Sequence, residues 1–338
     1  MSETANAPTT TRNLRVGLIG LGSMGRHHAR VIRATPGMEL VAVADPGGDR
    51  FGVAGDLELL PDVAALIDVG LDAAMVAVPT VYHEEVALAL AEAGVPTMVE
   101  KPIAHSVQAG RRVADAFASR DLVGAVGYVE RCNPALRALR ERLDAGELGQ
   151  VYQVLTRRQG PFPARISDVG VVKDLATHDV DLTAWVAGSP YCSISAQVTH
   201  RSGRANEDMV VANGLLANGV IVSHTVNWLT PFKERVTIVT GEKGAFVADT
   251  LTGDLTFHAN GTVESSWDQV ANFRGVSEGD VIRYAIPKRE PLALEQEHFR
   301  DAVLGTGSEA VTMADGVATL IVVEAILASA SENRVVEI

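Results

Sequence analysis

The chain has 338 residues, 47% hydrophobic and 21% charged, which is normal for a globular protein and long enough for two domains. Its net charge of −13 disfavours a nucleic-acid partner, because no basic excess is present to meet a phosphate backbone. We see no apolar run of about 18 residues and no signal peptide, and Cys132 and Cys192 lack metal-ligand spacing. We therefore expect a cytoplasmic protein with reduced cysteines, no membrane contact, no metal and a disordered tail at residues 1–12.

The first structured stretch has the order strand, glycine-rich turn, helix, strand. A strand at Leu14–Ile19 leads into Gly20–Gly25, which reads G-x-G-x-x-G, and a helix is predicted at Arg26–Ala34. In this context the first glycine allows a tight turn, the second lets the backbone approach a pyrophosphate, and the third lets helix and strand pack closely. The pyrophosphate would sit on the N-terminus of the helix. A structural turn that binds nothing is the alternative.

Asp45 ends the next strand, Glu39–Ala44, and follows the last glycine of the turn by 20 residues. At this position a carboxylate would accept hydrogen bonds from the adenosine ribose and would repel a 2′-phosphate. We therefore expect NAD as the cofactor. NADP is less favoured, although Arg50 lies close enough in the sequence to compensate a phosphate.

Up to about Val126, predicted strands and helices alternate. The further strands are Ala73–Val78, Thr97–Glu100 and Leu122–Val126, and the helices are Pro61–Asp68, Val81–Ala93 and Val107–Ser119. This alternation predicts an α/β fold with a doubly wound parallel sheet, which we assign as an NAD(P)-binding Rossmann domain over residues 13–128. Ligands of such sheets bind at the carboxyl ends of the strands. The residues at these ends are Asp45, Pro79, Thr80, Glu100, Lys101 and Tyr128.

After residue 128 the alternation stops. Helices are predicted at Pro134–Ala145 and Lys173–Val186, with a strand at Gln150–Arg157 and a loop from Gly160 to Gly170 between them. Six strands follow, at Ser193–Thr199, Asp208–Leu216, Val220–Asn227, Arg235–Thr240, Ala245–Asp249 and Leu255–His258, and two helices close the chain, Leu292–Leu304 and Met313–Ala330. Successive strands without helices indicate an antiparallel sheet. We predict an α+β domain over residues 129–338 with a large open-faced, mainly antiparallel sheet, whose C-terminal helix could pack back on the Rossmann domain.

Two further patterns carry polar groups suited to catalysis. Lys101 precedes Pro102, and because a residue before proline is disfavoured in a helix, this lysine is expected at a strand end. Asp174, His178 and Asp181 fall in one sector of their predicted helix, so two carboxylates and an imidazole share a face. A solvated lysine and a capped surface helix are the alternative interpretations of these two patterns.

The order of these motifs resembles that of the Gfo/Idh/MocA oxidoreductase family, from about Leu14 to Ile338. The motifs are Gly20-x-Gly22-x-x-Gly25, Glu100-Lys101-Pro102, Gly127-Tyr128-x-x-Arg131-x-Asn133-Pro134 and Asp174-x-x-x-His178-x-x-Asp181. The resemblance implies an NAD(P)-dependent dehydrogenase that acts on a sugar or cyclitol hydroxyl. It also implies that the second domain binds substrate and that its open sheet face forms a homodimer or homotetramer.

The resemblance assigns residues to the site. Lys101, His178 and Asp174 match the family's catalytic lysine, its catalytic histidine and a substrate-contacting aspartate. The candidate cofactor contacts are Gly20, Gly22, Ser23, Met24, Gly25, Asp45, Pro79, Thr80, His83, Glu100 and Lys101. The candidate substrate contacts are Tyr128, Arg131, Asn133, Arg158, Arg165, Asp174 and His178.

Elementary acid–base chemistry supports the same roles. An imidazole with an ordinary pKa of about 6.5 suits a base that removes a hydroxyl proton as a hydride leaves. The ammonium of Lys101 could stabilise the negative charge that develops on that oxygen. Asp174 could orient His178 or hold a neighbouring hydroxyl. We favour His178 as the base, and an exchange of roles with Lys101 is the alternative.

The run from Gly160 to Val172 bears on the substrate, because its Pro-Phe-Pro-x-Arg pattern resembles the branch that oxidises the 3-hydroxyl of UDP-N-acetyl sugars. Arg157, Arg158 and Arg165 could meet a nucleotide diphosphate through charge-assisted hydrogen bonds, or could be ordinary surface arginines. Myo-inositol or another free sugar is the alternative substrate. Two other functions stay open, a non-catalytic NAD-binding sensor and a sugar hydrolase that uses NAD as a transient oxidant.

Overall fold

The computed structural model describes residues 12–163, 169–261, 277–307 and 309–338. The predicted disordered tail lies outside these residues except for Arg12, whose Nη2 donates to Asp72 Oδ1 at 2.7 Å. The chain forms two compact units. The first runs to Gly127 and also contains Leu292–Met313, and the second comprises Tyr128–Pro291 and Ala314–Ile338.

Helices and strands alternate in the first unit and segregate in the second. The described helices are α1 (Ser23–Ala34), α2 (Val63–Asp68), α3 (His83–Glu92), α4 (Val107–Ala118), α5 (Pro134–Asp144), α6 (Thr177–Ala187), α7 (Pro291–Val303) and α8 (Met313–Glu332). The described strands are β1 (Leu14–Ile19), β2 (Met38–Ala44), β3 (Leu59–Leu60), β4 (Ala73–Val76), β5 (Thr97–Glu100), β6 (Gly124–Gly127), β7 (Val151–Pro161), β8 (Tyr191–Thr199), β9 (Met209–Leu216), β10 (Ile221–Asn227), β11 (Leu229–Gly241), β12 (Gly244–Asp249), β13 (Asp254–Gly261), β14 (Ser277–Arg283) and β15 (Val336–Glu337).

The first unit is built on a six-stranded parallel sheet with the order β3-β2-β1-β4-β5-β6. This is the strand order of a doubly wound Rossmann sheet. All four residues of β4 are buried, as expected where helices cover both faces of a parallel sheet. The predicted fold class is therefore confirmed for this unit.

Several predicted boundaries in the first unit shift. Helix α1 starts at Ser23, three residues before the predicted start, because Gly22 already serves as its N-cap. Strand β4 ends at Val76 rather than at Val78. A short 3₁₀ turn, Thr80–Tyr82, precedes α3 where a continuous helix was predicted.

The second unit carries a nine-stranded sheet with the order β14-β13-β12-β11-β7-β10-β9-β8-β15. Among the described pairs of this second sheet only β7–β10 is parallel, and the other pairs are antiparallel, so the prediction of a mainly antiparallel sheet is confirmed. Strand β7 continues through Gly160 and Pro161, where a loop was predicted. Its end pairs with the start of β11, since Pro161 lies opposite Leu229.

The two faces of this sheet differ in burial. Val154, Val210 and Val222 lie on the inner face and are at most 1% exposed. The outer face carries apolar side chains that remain exposed, including Leu215 and its cross-strand neighbour Ile221, which are 42% and 54% exposed. The alternation along each strand places these sets on opposite sides. The outer face is therefore open in the single chain.

Helix α8, Met313–Glu332, has the length and mean hydropathy (1.7) of a membrane span by composition alone. From the sequence we expected no apolar run long enough to span a membrane. A core helix of a globular protein passes the same test, and 56% of the apolar window of α8 is buried.

Candidate active site

The glycine-rich turn between β1 and α1 has the geometry predicted for a dinucleotide site. Gly20 has φ +93°, and a Cβ there would lie 2.5 Å from the carbonyl carbon of Ala77. A Cβ at Gly25 would lie 1.9 Å from the carbonyl oxygen of Gly20, so helix and strand can pack this closely only without a side chain. A Cβ at Gly22 would meet nothing within 4 Å. The first and third glycines are thus required by the fold, and the second faces open space that a pyrophosphate can use.

The N-terminus of α1 and Asp45 complete this end of the sheet. Among the described residues, no side chain caps α1 at Gly22, and its first turn contains no acidic residue to compete with an anion. The Asp45 carboxylate accepts from Leu21 N through Oδ2 and from Gly47 N through Oδ1, both at 2.7 Å. Asp45 therefore holds the glycine turn in place and keeps lone pairs that could meet ribose hydroxyls.

His83, a predicted cofactor contact, joins two loops at the same sheet edge. Its Nδ1 lies 2.8 Å from the carbonyl oxygen of Pro102, and its Nε2 lies 3.0 Å from that of Val78. Burial lowers the pKa of His83, and a neutral imidazole donates through only one nitrogen, so one of these contacts is not a hydrogen bond. Of the neighbouring predictions, Pro79 precedes the 3₁₀ turn and Thr80 begins it.

Glu100 and Lys101 lie at the end of β5. The Glu100 carboxylate is buried, lies 2.7 Å from His28 Nε2, and accepts from the backbone N–H of Lys101 at 3.1 Å. His28 Nδ1 in turn lies 2.9 Å from Gln296 Nε2. A hydrogen bond from the Gln296 amide nitrogen to Nδ1 is compatible with one from Nε2 of His28 to Glu100. Glu100 thus faces the protein interior, and half-buried Lys101 begins the loop that follows.

In the second unit, Asp174 and His178 lie at the start of the predicted catalytic helix. The prediction of one regular helix from Lys173 is wrong in its first turn, because Val172–Ala176 is π-helical and α6 begins at Thr177. The 100° spacing therefore does not hold at Asp174. π-turns inside helices occur frequently at functional sites.

Asp181 belongs to a buried ion pair rather than to an open face. Arg131 donates to both oxygens of Asp181, through Nε at 2.9 Å and Nη2 at 2.7 Å. A further contact of 3.4 Å joins Arg131 Nη1 to Asp315. Arg131 and Asn133, both predicted substrate contacts, therefore have structural partners: Asn133 caps α5 by accepting from Ala135 N at 3.1 Å.

Tyr128, another predicted substrate contact, packs against the ring of His178. Its ring meets that of His178 edge-on, with the ring centroids 6.3 Å apart. Its hydroxyl lies 3.0 Å from Thr177 Oγ1, and burial raises the pKa of Tyr128, so the phenol stays neutral. Within the second unit, the structure thus brings Tyr128 to His178.

Arg158 is buried behind α6. Its Nε donates to Asp179 at 3.0 Å, and its Nη1 donates to Glu130 at 2.8 Å, with the arginine 3% exposed. Burial raises the pKa of Asp179 to about 6, although Arg158 opposes this shift. The interpretation of Arg158 as an ordinary surface arginine is therefore wrong, and the same ion pairs occupy the groups that were predicted to bind a diphosphate. Arg157 is half-exposed and pairs with Glu234, and Arg165 lies outside the described residues.

Sequence reasoning did not identify the buried partners of these groups. His28 carried a usable signal, because it follows Gly25 by three residues and therefore lies on the inward face of α1 with Ile32. Its partner Glu100 is 72 residues away, and no local pattern joins the two. Among the described residues, no group of three or more His, Cys, Asp or Glu side chains could hold a metal ion.

The parallel sheet with its glycine turn has the form of an NAD(P)-binding Rossmann sheet, and the second unit adds a large, mainly antiparallel sheet. Residues 14–128 match the oxidoreductase family with an NAD-binding Rossmann fold, and residues 136–247 match the Gfo/Idh/MocA C-terminal domain. The chain therefore belongs to the Gfo/Idh/MocA oxidoreductase family, as the order of its motifs predicted.

Individual relatives cover different shares of the chain. UDP-N-acetylglucosamine 3-dehydrogenase of Acidithiobacillus ferrooxidans is 31% identical over 96% of this chain and 97% of its own. Inositol 2-dehydrogenase 2 of Saccharopolyspora erythraea is 33% identical over 62% of this chain and 65% of its own. The solved structure of the Acidithiobacillus enzyme superposes with a TM-score of 0.83 at 26% identity, covering 95% of this chain and 98% of that one. GenD2 from gentamicin A biosynthesis, solved with NAD, has a TM-score of 0.81 at 25% identity, covering 100% and 99%.

Proposed function

We propose that this protein oxidises the 3-hydroxyl of a UDP-N-acetyl sugar with NAD as the hydride acceptor. The observation that carries the proposal is the extent of the match to UDP-N-acetylglucosamine 3-dehydrogenase, which covers 96% of the chain. Matches to inositol dehydrogenases have similar identity but cover 54% to 69% of the chain. The longer match necessarily includes the second unit, which carries Asp174 and His178.

The run from Gly160 to Val172 supports the same substrate class, since its Pro-Phe-Pro-x-Arg pattern resembles the nucleotide-sugar branch. With Arg158 committed to buried carboxylates, the proposed diphosphate contacts fall to the half-exposed Arg157 and to Arg165. Arg157 lies 2.9 Å from Glu234, so it would have to exchange this partner for a phosphate. Arg and phosphate form strong bidentate pairs that can drive such an exchange.

The residues that would hold NAD are those of the glycine turn and Asp45. The open space at Gly22 and the uncapped start of α1 suit a pyrophosphate, and Asp45 suits an unphosphorylated ribose. NAD supplies the hydride acceptor when it is bound. The preference for NAD over NADP is part of the proposal, and it depends on the charge of Asp45.

Three side chains would act on the sugar. His178 is proposed as the base that removes the hydroxyl proton, since an imidazole is partly unprotonated near neutral pH. Lys101, as an ammonium, would hydrogen-bond the same oxygen and stabilise its developing charge. Asp174 would hold a neighbouring hydroxyl or orient His178. The two basic residues could exchange roles, which the pH profiles of His178→Asn and Lys101→Met variants would distinguish.

The experiment is a substrate panel. The protein is incubated with NAD and, separately, UDP-N-acetylglucosamine, other UDP-sugars, free N-acetylglucosamine and inositols, and NADH is followed by absorbance. We expect NADH with UDP-N-acetyl sugars and little with inositols. If NADH forms only with inositols, the proposal is wrong and the protein is a free-cyclitol dehydrogenase, the main alternative. Binding of NAD without turnover of any substrate would indicate a sensor, and sugar cleavage without net NADH would indicate a hydrolase.

We also propose a cytoplasmic homodimer or homotetramer that uses the outer face of the nine-stranded sheet. The support is the apolar character of this face, where Val211, Leu215 and Ile221 are each more than one third exposed. Contiguous apolar surface on one side of a sheet is typical of an interface. Light scattering after chromatography tests this: Ile221→Lys together with Leu215→Lys should give a smaller species, and an unchanged mass would contradict the proposed interface.

A further inference from the structure

We propose that Glu207 is a positioning residue that fixes the start of the helix carrying Asp174 and His178. Glu207 lies in the loop of residues 200–208, between β8 and β9, which we name the β8–β9 loop. The inference rests on the proposed roles of Asp174 and His178. It adds a residue that acts through them and does not touch the substrate.

The contacts of Glu207 converge on the first turn of this helix. Its backbone carbonyl accepts from Val171 N at 3.0 Å, and its carboxylate Oε1 accepts from Val172 N at 3.0 Å. The first N–H groups of a helix lack partners within the helix, so an external acceptor determines where the helix starts. A carboxylate is especially favourable there because it faces the positive end of the helix dipole. Glu207 is 8% exposed, so the contact is protected from water.

Gly170 packs directly against the Glu207 carboxylate. A Cβ at Gly170 would lie between 2.0 and 2.1 Å from three atoms of the Glu207 carboxyl group, so glycine is required for the carboxylate to reach its place. The carbonyl oxygen of Gly170 accepts from Asp174 N at 3.1 Å. The same glycine therefore links the Glu207 carboxylate to the backbone of the proposed substrate contact.

The base of the β8–β9 loop is anchored to the sheet. Asp208 N donates to the carbonyl of Thr199 at 2.9 Å, and the Asp208 carbonyl accepts from Trp228 N at 2.9 Å. The Asp208 carboxylate accepts from Ser202 N at 2.5 Å and from Thr199 Oγ1 at 3.2 Å. Asp208 is fully buried. Glu207 is thus attached to a fixed point of the sheet, which a positioning residue requires.

The outer part of the β8–β9 loop contacts the run that bears on the substrate. The Arg204 guanidinium lies 4.3 Å from the ring centroid of Phe162 and 5.4 Å from that of Trp228. The rings of Phe162 and Trp228 meet edge-on at 5.4 Å. One loop therefore contacts both Phe162 and the start of the catalytic helix.

The test is a kinetic comparison of Glu207→Ala and Glu207→Gln in the full-length protein, with UDP-N-acetylglucosamine or whichever substrate of the panel is active. Glu207→Ala should lower kcat roughly 10- to 100-fold with the KM for NAD nearly unchanged, because small displacements of catalytic groups have effects of this size. Glu207→Gln keeps an oxygen that accepts from Val172 N and should restore most of the rate. A purely structural role would lower thermal stability without this difference between kcat and KM.

Glu242 offers a matched control. Its carboxylate accepts from Gln150 N at 3.3 Å and packs against Gly149, where a Cβ would lie 2.5 Å from it, so the arrangement repeats that of Glu207 and Gly170 away from the helix. Glu242→Ala should leave kcat and both KM values unchanged. If Glu207→Ala does not fold, Gly170→Ala, which displaces the carboxylate, should show the same selective loss of kcat.

His178→Ala, measured in parallel, separates this inference from the proposed function. A kcat for Glu207→Ala close to that of the wild type, with His178→Ala inactive, would overturn the positioning role alone. Equal losses in Glu207→Ala and Glu207→Gln would also overturn it. Turnover by His178→Ala near the wild-type rate would instead overturn the catalytic assignment on which the inference rests.

Discussion

The Nε2 of His28 lies 2.7 Å from Oε1 of Glu100, and both side chains are buried in the first unit. His28 is on α1, whose N-terminus would hold the pyrophosphate, and Glu100 precedes Lys101 and accepts from its backbone N–H. Gln296 of α7 contacts the other nitrogen of His28. One buried chain of hydrogen bonds therefore links the cofactor helix, the lysine strand and a helix from near the end of the sequence.

Removal of this imidazole should destabilise the protein. His28→Ala leaves the buried Glu100 carboxylate without its donor, and breaking such a pair costs about 3 kcal/mol of the free energy of unfolding. Urea unfolding measures the loss. His27→Ala, one position earlier on the same helix but less buried, should cost less than about 1 kcal/mol. Equal stabilities of His28→Ala and the wild type would contradict this role.

Two glycines of the turn should separate folding from cofactor binding. Gly22→Ala places its Cβ in open space, so the apoprotein should keep its melting temperature while its affinity for NAD falls, because the methyl group occupies the proposed pyrophosphate space. Gly25→Ala should lower both, because its Cβ would lie 1.9 Å from the Gly20 carbonyl oxygen. Thermal shift with and without NAD measures both quantities. Undiminished NAD binding by Gly22→Ala would place the pyrophosphate elsewhere.

The charge of Asp45 should determine the choice of cofactor. In Asp45→Asn the repulsion of a 2′-phosphate is removed, and the preference for NAD over NADP in kcat/KM should fall roughly tenfold or more, as expected for one nearby charge. Asp49→Asn is the control, because Asp49 also accepts from backbone N–H groups, at 2.8 Å from Ala54. Its substitution should leave the ratio unchanged. An equal change in both variants would indicate a general effect on the loop.

Stability should fall in mild acid through His224. This histidine of β10 is fully buried between Thr156 Oγ1 and the Tyr191 hydroxyl, and burial lowers its pKa to about 4. Between pH 6.5 and 4 the unfolded chain takes up a proton at this residue and the native state does not, so its contribution to stability decreases as the pH falls. From pH 7 to pH 5 the loss is on the order of 2 kcal/mol.

His224→Gln isolates this contribution from the other groups that titrate. The difference in the free energy of unfolding between the wild type and His224→Gln should shrink as the pH is lowered from 7 to 5, because only the wild type carries the cost of keeping the imidazole neutral. Urea unfolding at the two pH values measures it. A difference that is the same at both values would show that His224 does not titrate as its burial requires.

Local sequence patterns predicted the Rossmann sheet well. The strand at Thr97–Glu100 has the predicted bounds, and the alternation of strands and helices correctly indicated a parallel sheet. The glycine spacing predicted the turn because Gly20 and Gly25 each meet a steric requirement that is local. The position of Asp45 was also predictable locally, because it directly follows the apolar run that forms β2.

What the sequence did not predict depends on contacts between distant residues. The π-turn before α6 begins at Val172, whose backbone N–H donates to Glu207, 35 residues away. Strand β7 extends through Gly160 and Pro161 because β11 pairs with it, and the local signal there favours a loop. Arg158 was predicted to bind a diphosphate, and only the folded chain shows Glu130 and Asp179 around it.

The most direct test of the proposed activity follows the hydride itself. UDP-N-acetylglucosamine carrying deuterium at C3 is incubated with the protein and NAD, and the reduced cofactor is analysed by mass spectrometry. If the protein oxidises the 3-hydroxyl, the wild type should transfer deuterium from C3 to the reduced nicotinamide. The His178→Ala variant should form no deuterated reduced cofactor. Reduced cofactor that carries no deuterium, or turnover of inositols with none of the nucleotide sugar, would contradict the account.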